Sequence, residues 1–266
     1  MTFEPHFWIV GNDGIIRNGA KLPFQPYVGA IVSEIEKAFS PSIGERGLLL
    51  LRGSMAIGKA VQPYSDIDLL LFTDTKKYAD LLASWAQIGR ELEKNLCSSV
   101  DLIDLQIVDV FDTSPARDRC FVHASIQSVA ICGSMPIFFP PVTLSSDLFR
   151  TMWGTAETDA RNILFRLQKG EEISWGDQVR PSAFWVRWIA RDALRATASR
   201  IGISLGIYTS HLDACAHLIS MEMPECKHTV DELFLAERFP PKDDLAPIER
   251  SVELFELGRI RWPLSH

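Results

Sequence analysis

The chain has 266 residues, 47% of them apolar, enough to bury the core of one large domain or two modest ones, which excludes wholesale disorder. Its formal net charge of -7 argues against broad binding to a nucleic-acid backbone and leaves at most a local basic groove. The cysteines (Cys97, Cys120, Cys132, Cys215, Cys226) are odd in number and scattered, with no Cys-x-x-Cys pair, so they read as reduced thiols rather than a disulfide framework or a zinc site.

The opening segment MTFEPHFWIV lacks the charged lead and apolar centre of a signal peptide. No apolar run approaches the ~18 residues needed to span a bilayer. A soluble cytoplasmic protein with no membrane partner is expected.

In chain order, Phe7–Val10 and Ile15–Arg17 flank Asn12-Asp13-Gly14, the pattern of a hairpin turn. Pro26–Phe39 predicts an amphipathic helix, with Val28, Ile31, Val32, Ile35 and Phe39 at helical spacing. Gly47–Leu51 and Ile67–Phe72 predict strands, Lys76–Lys94 a helix, and Val100–Val110 a further strand. Phe121–Ile131 predicts a short helix ending near Gly133, and Pro136–Pro141 breaks regular structure. From Ser145 onward strand signals fade. Leu148–Lys169, Ser182–Ile201, Ser210–Met221 and Pro247–Leu257 predict four main helices, with Thr229–Arg238 a shorter fifth. The expected architecture is α+β: a mixed sheet with flanking helices over 1–139, then an α-helical bundle over 140–266.

The most informative stretch is Leu48–Thr73. Asp66 and Asp68 lie two apart in a run that otherwise reads as buried strand, so alternation points both carboxylates to one face. Like charges on a buried face repel and cost desolvation, and neutralising either is expected to relieve that strain. A hard divalent cation such as Mg²⁺ relieves it too, and binds substrate phosphates as well. Upstream, Gly53 supplies room for close approach and Ser54 a hydroxyl at a strand-to-helix junction, a setting that favours phosphate. A third carboxylate from the strand SVDLIDLQIVD would complete a site for two ions. Asp101 and Asp104 are three apart and face opposite ways, so only one can join; Asp101, at the strand's start, is the favoured candidate, and could accept an acceptor's proton.

Apolar-Gly-Ser, a loop, Ser-Asp-Ile-Asp-Leu-Leu and then Val-Asp-Leu-Ile resembles the nucleotidyltransferase superfamily related to DNA polymerase β. The closest flavour is the minimal, kanamycin-type and streptomycin-type adenylyltransferases. Gly53, Ser54, Ser65, Asp66, Asp68 and Asp101 match that pattern. The resemblance covers roughly residues 25–135. It implies two Mg²⁺ ions, ATP or another nucleoside triphosphate as donor, and a hydroxyl-bearing acceptor. Asp66, Asp68 and Asp101 would be catalytic and metal-binding; Gly53, Ser54, Lys59 and Ser65 would contact the nucleotide. Two departures stand out. The loop carries Met55, Ile57 and Val61, with Lys59 its sole cation, and Arg52 precedes Gly53 where an aromatic or aliphatic residue is common.

The helical half resembles, more loosely, the bundles of aminoglycoside adenylyltransferases and the HEPN family, through Ala190-Arg191-Asp192-Ala193, Gly202 and Ser210-His211-Leu212. Arg187, Arg191 and Arg195 form a single helix stripe. It reads either as a basic wall gripping triphosphate across a cleft from the aspartates or as a solvated face paired with acids such as Asp192 and Glu157. Trp185 and Trp188 read as core packing or as a stacking platform. The function these readings imply is transfer of AMP from ATP to a small-molecule hydroxyl, such as that of an aminoglycoside-like compound. The alternatives are adenylylation of a protein, as in toxin-antitoxin systems, or a non-catalytic binding module on the same fold.

Overall fold

A computed structural model describes residues 8–20, 22–60, 66–96, 102–175 and 178–264. Ser65, Val61, Cys97 and Asp101 lie outside the described residues. The chain divides into two compact units, Arg17–Val142 and a second formed by Met1–Ile16 with Thr143–His266. This differs from the expected division at 139/140. Within the second unit, Trp8 donates its backbone N–H to Tyr208 O (2.8 Å) and packs edge-on against the Tyr208 ring, while Leu144 N–H bonds Gly14 O (2.9 Å). The hairpin turn forms as expected, with Val10 bridged to Ile16 and Ile15 N–H on Asp13 Oδ1. Its partner, far along the chain, is not written in local sequence.

The first unit contains α1 (Pro26–Ile43), β1 (Gly47–Arg52), α2 (Gly53–Ala56), β2 (Ile67–Thr73), α3 (Ala79–Leu96), β3 (Ile103–Asp109), α4 (Pro115–Gln127) and β4 (Ser128–Gly133). The sheet order is β3-β2-β1-β4. β1 runs antiparallel to both neighbours, and β2 and β3 are parallel, joined by α3 as a parallel pair requires. Alternation assigns the faces. Leu49, Leu51, Ile67, Leu69, Leu71 and Ile103 pack under α1 and α3, against Ile35, Phe39 and Trp85. Leu50, Leu70, Phe72 and Val108 pack with Phe121 and Ala124 of α4. The Phe72, Phe121 and Phe139 rings meet at 5.0–5.5 Å, so the proline-rich segment contributes a core aromatic although it forms no regular element.

Two sequence expectations change here. The helix expected over Phe121–Ile131 is two elements: α4 starts earlier, at Pro115, with Ser114 Oγ accepting Arg117 N–H as its cap, and the chain then turns into β4. The run Ser128–Gly133 has no alternation sharp enough to separate it from a helix end, and only pairing with β1 makes it a strand.

The second unit contains α5 (Ser146–Trp153), α6 (Ala156–Gln168), β5 (Ile173–Trp175), β6 (Gln178–Arg180), α7 (Ser182–Leu205), α8 (Leu212–Glu222), α9 (Lys227–Arg238) and α10 (Ala246–Arg261). The single helix expected over Leu148–Lys169 is broken at Gly154-Thr155, and the short β5–β6 hairpin was not anticipated. α7 is the axis of this unit. It is buried on many sides, from Trp185 and Ile189 to Ala198 and Ile201, which is the pattern of a core helix. Its small residues let neighbours come close: a Cβ on Gly258 of α10 would stand 3.1 Å from Thr197 Cγ2. Trp185 and Trp188 join Trp175 and Phe184 in an aromatic cluster with centroids 5.2–6.0 Å apart, so both tryptophans serve packing. Among the described residues, no helix is long and apolar enough to cross a membrane.

Candidate active site

The apolar ladder of the α4-covered face ends in a row of charges. Register places Arg52 of β1 opposite Asp68 of β2, and Asp68 opposite Asp104 of β3. One nitrogen of Arg52, Nη2, lies 3.3 Å from Asp68 Oδ1 and 3.6 Å from Asp104 Oδ2. The row continues to Gln106, whose Nε2 donates to Asp104 Oδ2 at 2.7 Å, and to Cys120 of α4, whose Sγ is 3.6 Å from Gln106 Oε1. Burial pushes the Cys120 thiol pKa up, against the smaller opposing influence of Arg52, so this cysteine is a neutral member of the network. Arg52 is well enclosed: its side chain is 14% exposed, and its Nε is buried without a hydrogen bond to any described residue.

Asp66 immediately precedes β2 and is half-buried. It stands two residues before Asp68, where alternation continues the same face. Gly53 opens the one-turn helix α2 at φ +73°, and a Cβ there would come 2.2 Å from Asp68 Oδ2. The side of Gly53 where a Cβ would stand is therefore occupied by Asp68. Ser54 is half-buried, and its carbonyl accepts Lys59 N–H at 2.9 Å, closing the bend after α2; the Lys59 side chain is on the surface.

Arg52, Gln106 and Cys120 are the members of this site that sequence reasoning did not assign. The signal for Arg52 was present, since it ends an apolar strand whose antiparallel neighbour carries Asp68. Reading it required knowing the register. Asp104 likewise reaches the row because β3 starts at Ile103 and pairs with Ile67, a register no single strand reveals. The donor set offers carboxylate oxygens, the type a hard divalent ion takes, from Asp66 and Asp68. It does not fit a second ion between Asp68 and Asp104, where a guanidinium already stands. Among the described residues, no group of three or more acidic, histidine or cysteine side chains is gathered as a metal site.

In the second unit, the arginine stripe of α7 has partners of its own. Arg187 Nε lies 3.7 Å from Glu237 of α9, and Arg195 Nε donates to Ser210 O at 3.1 Å. Arg195 keeps part of its surface in solvent but is densely surrounded; desolvation first, then Arg191 one turn away, holds its pKa below the usual arginine value. The Nε of Arg191 is buried without a hydrogen bond among the described residues. Glu157 pairs with Arg161 (3.0 Å) and Arg259 (3.6 Å) rather than with the stripe. Cys215 is buried near Thr209 O, and burial pushes its thiol up to about 12.

A four-stranded mixed sheet carrying an acidic pair beside a glycine-serine bend, together with many helices, defines an α+β fold of the nucleotidyltransferase-like kind. A solved structure similar to the chain is that of spectinomycin adenyltransferase AAD(9) from Enterococcus faecialis with ATP and spectinomycin, at a TM-score of 0.51 and 12% identity. The likeness covers 87% of this chain and 98% of that one, so it extends beyond either unit alone. At that identity it shows the fold. No protein-family model matches the sequence, and no curated protein matches it.

Proposed function

We propose that the protein is a nucleotidyltransferase that moves AMP from ATP to a hydroxyl of a small-molecule acceptor and releases pyrophosphate. The observation that carries this reading is the placement of Asp66 just before β2 and of Asp68 at its start, with Asp68 seated against Gly53 in the bend that bears Ser54. The similar fold of an adenyltransferase holding ATP and spectinomycin supports it.

In this reading Asp66 and Asp68 hold a divalent cation, Mg²⁺, which when bound supplies positive charge to the triphosphate. Ser54 and Lys59 contact the phosphates, together with Ser65. The acceptor oxygen bonds to the α-phosphorus as the bond from that phosphorus to the bridging oxygen of the leaving pyrophosphate breaks. The acceptor's proton passes to a carboxylate. Of the two candidates, Asp104 is the one register sets opposite Asp68, held by Arg52 and Gln106; Asp101, favoured by the sequence, lies outside the described residues and is assigned no step. Of the stripe, Arg187 and Arg195 are engaged within the helical unit, and the nucleotide is left to the residues around the sheet end.

The test is to incubate the purified protein with α-labelled ATP, Mg²⁺ and a panel of hydroxyl-bearing antibiotics and metabolites, following pyrophosphate and the label. Label in a low-mass product, lost in Asp66→Asn, supports the proposal. Label on a macromolecule from added lysate transfers the reading to a protein acceptor. Neither ATP binding nor pyrophosphate release with any acceptor reduces the chain to a binding module on this fold.

A further inference from the structure

The sequence pattern called for three carboxylates and two divalent ions, whereas the structure sets a guanidinium inside the acidic row. A single nitrogen of Arg52 serves both Asp68 and Asp104. An Mg²⁺ ion shared by those carboxylates would need their oxygens at about 2.0–2.1 Å, in the volume that nitrogen fills. The arginine side chain is anchored: Arg52 ends β1, paired on both sides with Asp68 and Ser128, and its Nε is buried. Asp68 has one carboxylate oxygen toward Arg52 and the other against Gly53, which fixes the acid in the pose that meets the arginine.

Resting on the nucleotidyltransferase reading, we infer that Arg52 is a built-in cation that stands in for one of the two divalent ions, so the nucleotide-bound protein takes a single ion, through Asp66 and Asp68. The guanidinium offsets one of the two negative charges of Asp68 and Asp104, so these three side chains carry one net negative charge where the two carboxylates without it would carry two. The second ion would have to displace an ion pair already formed and then desolvate beside a fixed positive charge. Arg52 is thus a positioning residue that sets metal stoichiometry, and Gln106 completes the arrangement by holding Asp104 on its far side.

The experiment counts bound Mn²⁺ per chain by electron paramagnetic resonance at saturating non-hydrolysable ATP analogue, in the intact protein and in Arg52→Met and Arg52→Lys. One ion in the wild type, two in Arg52→Met and one in Arg52→Lys is the expected result. Two ions in the wild type, or equal counts in wild type and Arg52→Met, overturn the inference while leaving nucleotidyl transfer standing. A wild type that binds neither the analogue nor Mn²⁺ overturns the nucleotidyltransferase reading and this inference together. Thermal unfolding checks that Arg52→Met folds; if it does not, the wild-type count decides alone.

Discussion

Asp68 lies against Gly53 so closely that a single methyl group on that glycine would stand 2.2 Å from the carboxylate oxygen. The glycine is demanded twice, by this contact and by its φ of +73°, where an L side chain is strained. Gly53→Ala is therefore expected to cost about 1–3 kcal/mol from backbone strain alone. It should also push Asp68 out of line with Arg52. Thermal unfolding should show a fall of several degrees, and nucleotide-dependent turnover should fall with it. An alanine variant with wild-type melting and turnover would show that the bend does not hold the acid.

Asp66→Asn and Asp68→Asn should both lose turnover by orders of magnitude, and Asp68→Asn should lose stability as well. From the sequence alone, either change is expected to relieve repulsion between the two carboxylates. Arg52 alters that for Asp68, because the partly buried guanidinium loses a charged partner at 3.3 Å. Breaking such a pair leaves an arginine poorly compensated, and a loss of about 1–3 kcal/mol is expected. Asp68→Asn should lower the midpoint of a denaturant titration through the loss of the Arg52 pair. An Asp68→Asn midpoint equal to the wild type would contradict the assigned role of Arg52.

Where local pattern decides structure, the sequence was readable. β1 and β2 are continuous apolar runs, as strands buried on both faces must be, and only Asp68 interrupts the buried run of β2. α1 shows its core stripe of Val28, Ile31, Ile35 and Phe39 together with a proline in its first turn. What was not readable depends on partners distant in sequence. β4 exists because β1 offers an edge, the N-terminal hairpin joins the helical unit through Tyr208 and Thr143, and Arg52 enters the site through register. A composition-based reading sees Arg52 as a departure from a motif; only the sheet shows that it is the centre of a charged row.

Stability should fall as pH rises from about 9 toward 12, through the helical unit. Burial pushes the Cys215 thiol up to about 12 from an ordinary value near 9, so the folded thiol stays neutral while the unfolded one ionises. The stabilising effect is complete below pH 9 and is lost as pH climbs through that window, at about 1.4 kcal/mol per pH unit. Burial raises Tyr208 as well, adding to the loss above pH 10. Urea midpoints between pH 8 and 11 test this. Cys215→Ala should reduce the slope between pH 9 and 10, part of which remains because burial also raises the Cys120, Cys132 and Cys226 thiols, and an undiminished slope there would reject the assignment. The same burial predicts that Cys215 resists alkylation in the folded protein at pH 8.

Arg187 and Glu237 tie α7 to α9 at 3.7 Å, with the glutamate side chain 12% exposed and the arginine 29%. A pair this far from full exposure should couple by more than a surface ion pair, which is worth about 0–1 kcal/mol. A double-mutant cycle with Arg187→Gln and Glu237→Gln, read by urea unfolding, should give a coupling energy of about 1 kcal/mol or more. It distinguishes the two readings of the stripe. A structural arginine shows that coupling and leaves ATP affinity within about twofold of wild type. A phosphate-gripping arginine shows little coupling to Glu237 and loses ATP affinity tenfold or more when neutralised, because each 1.4 kcal/mol of lost contact is a factor of ten. Since Arg187 is held by an acid from a packed helix within its own unit, the first outcome is expected.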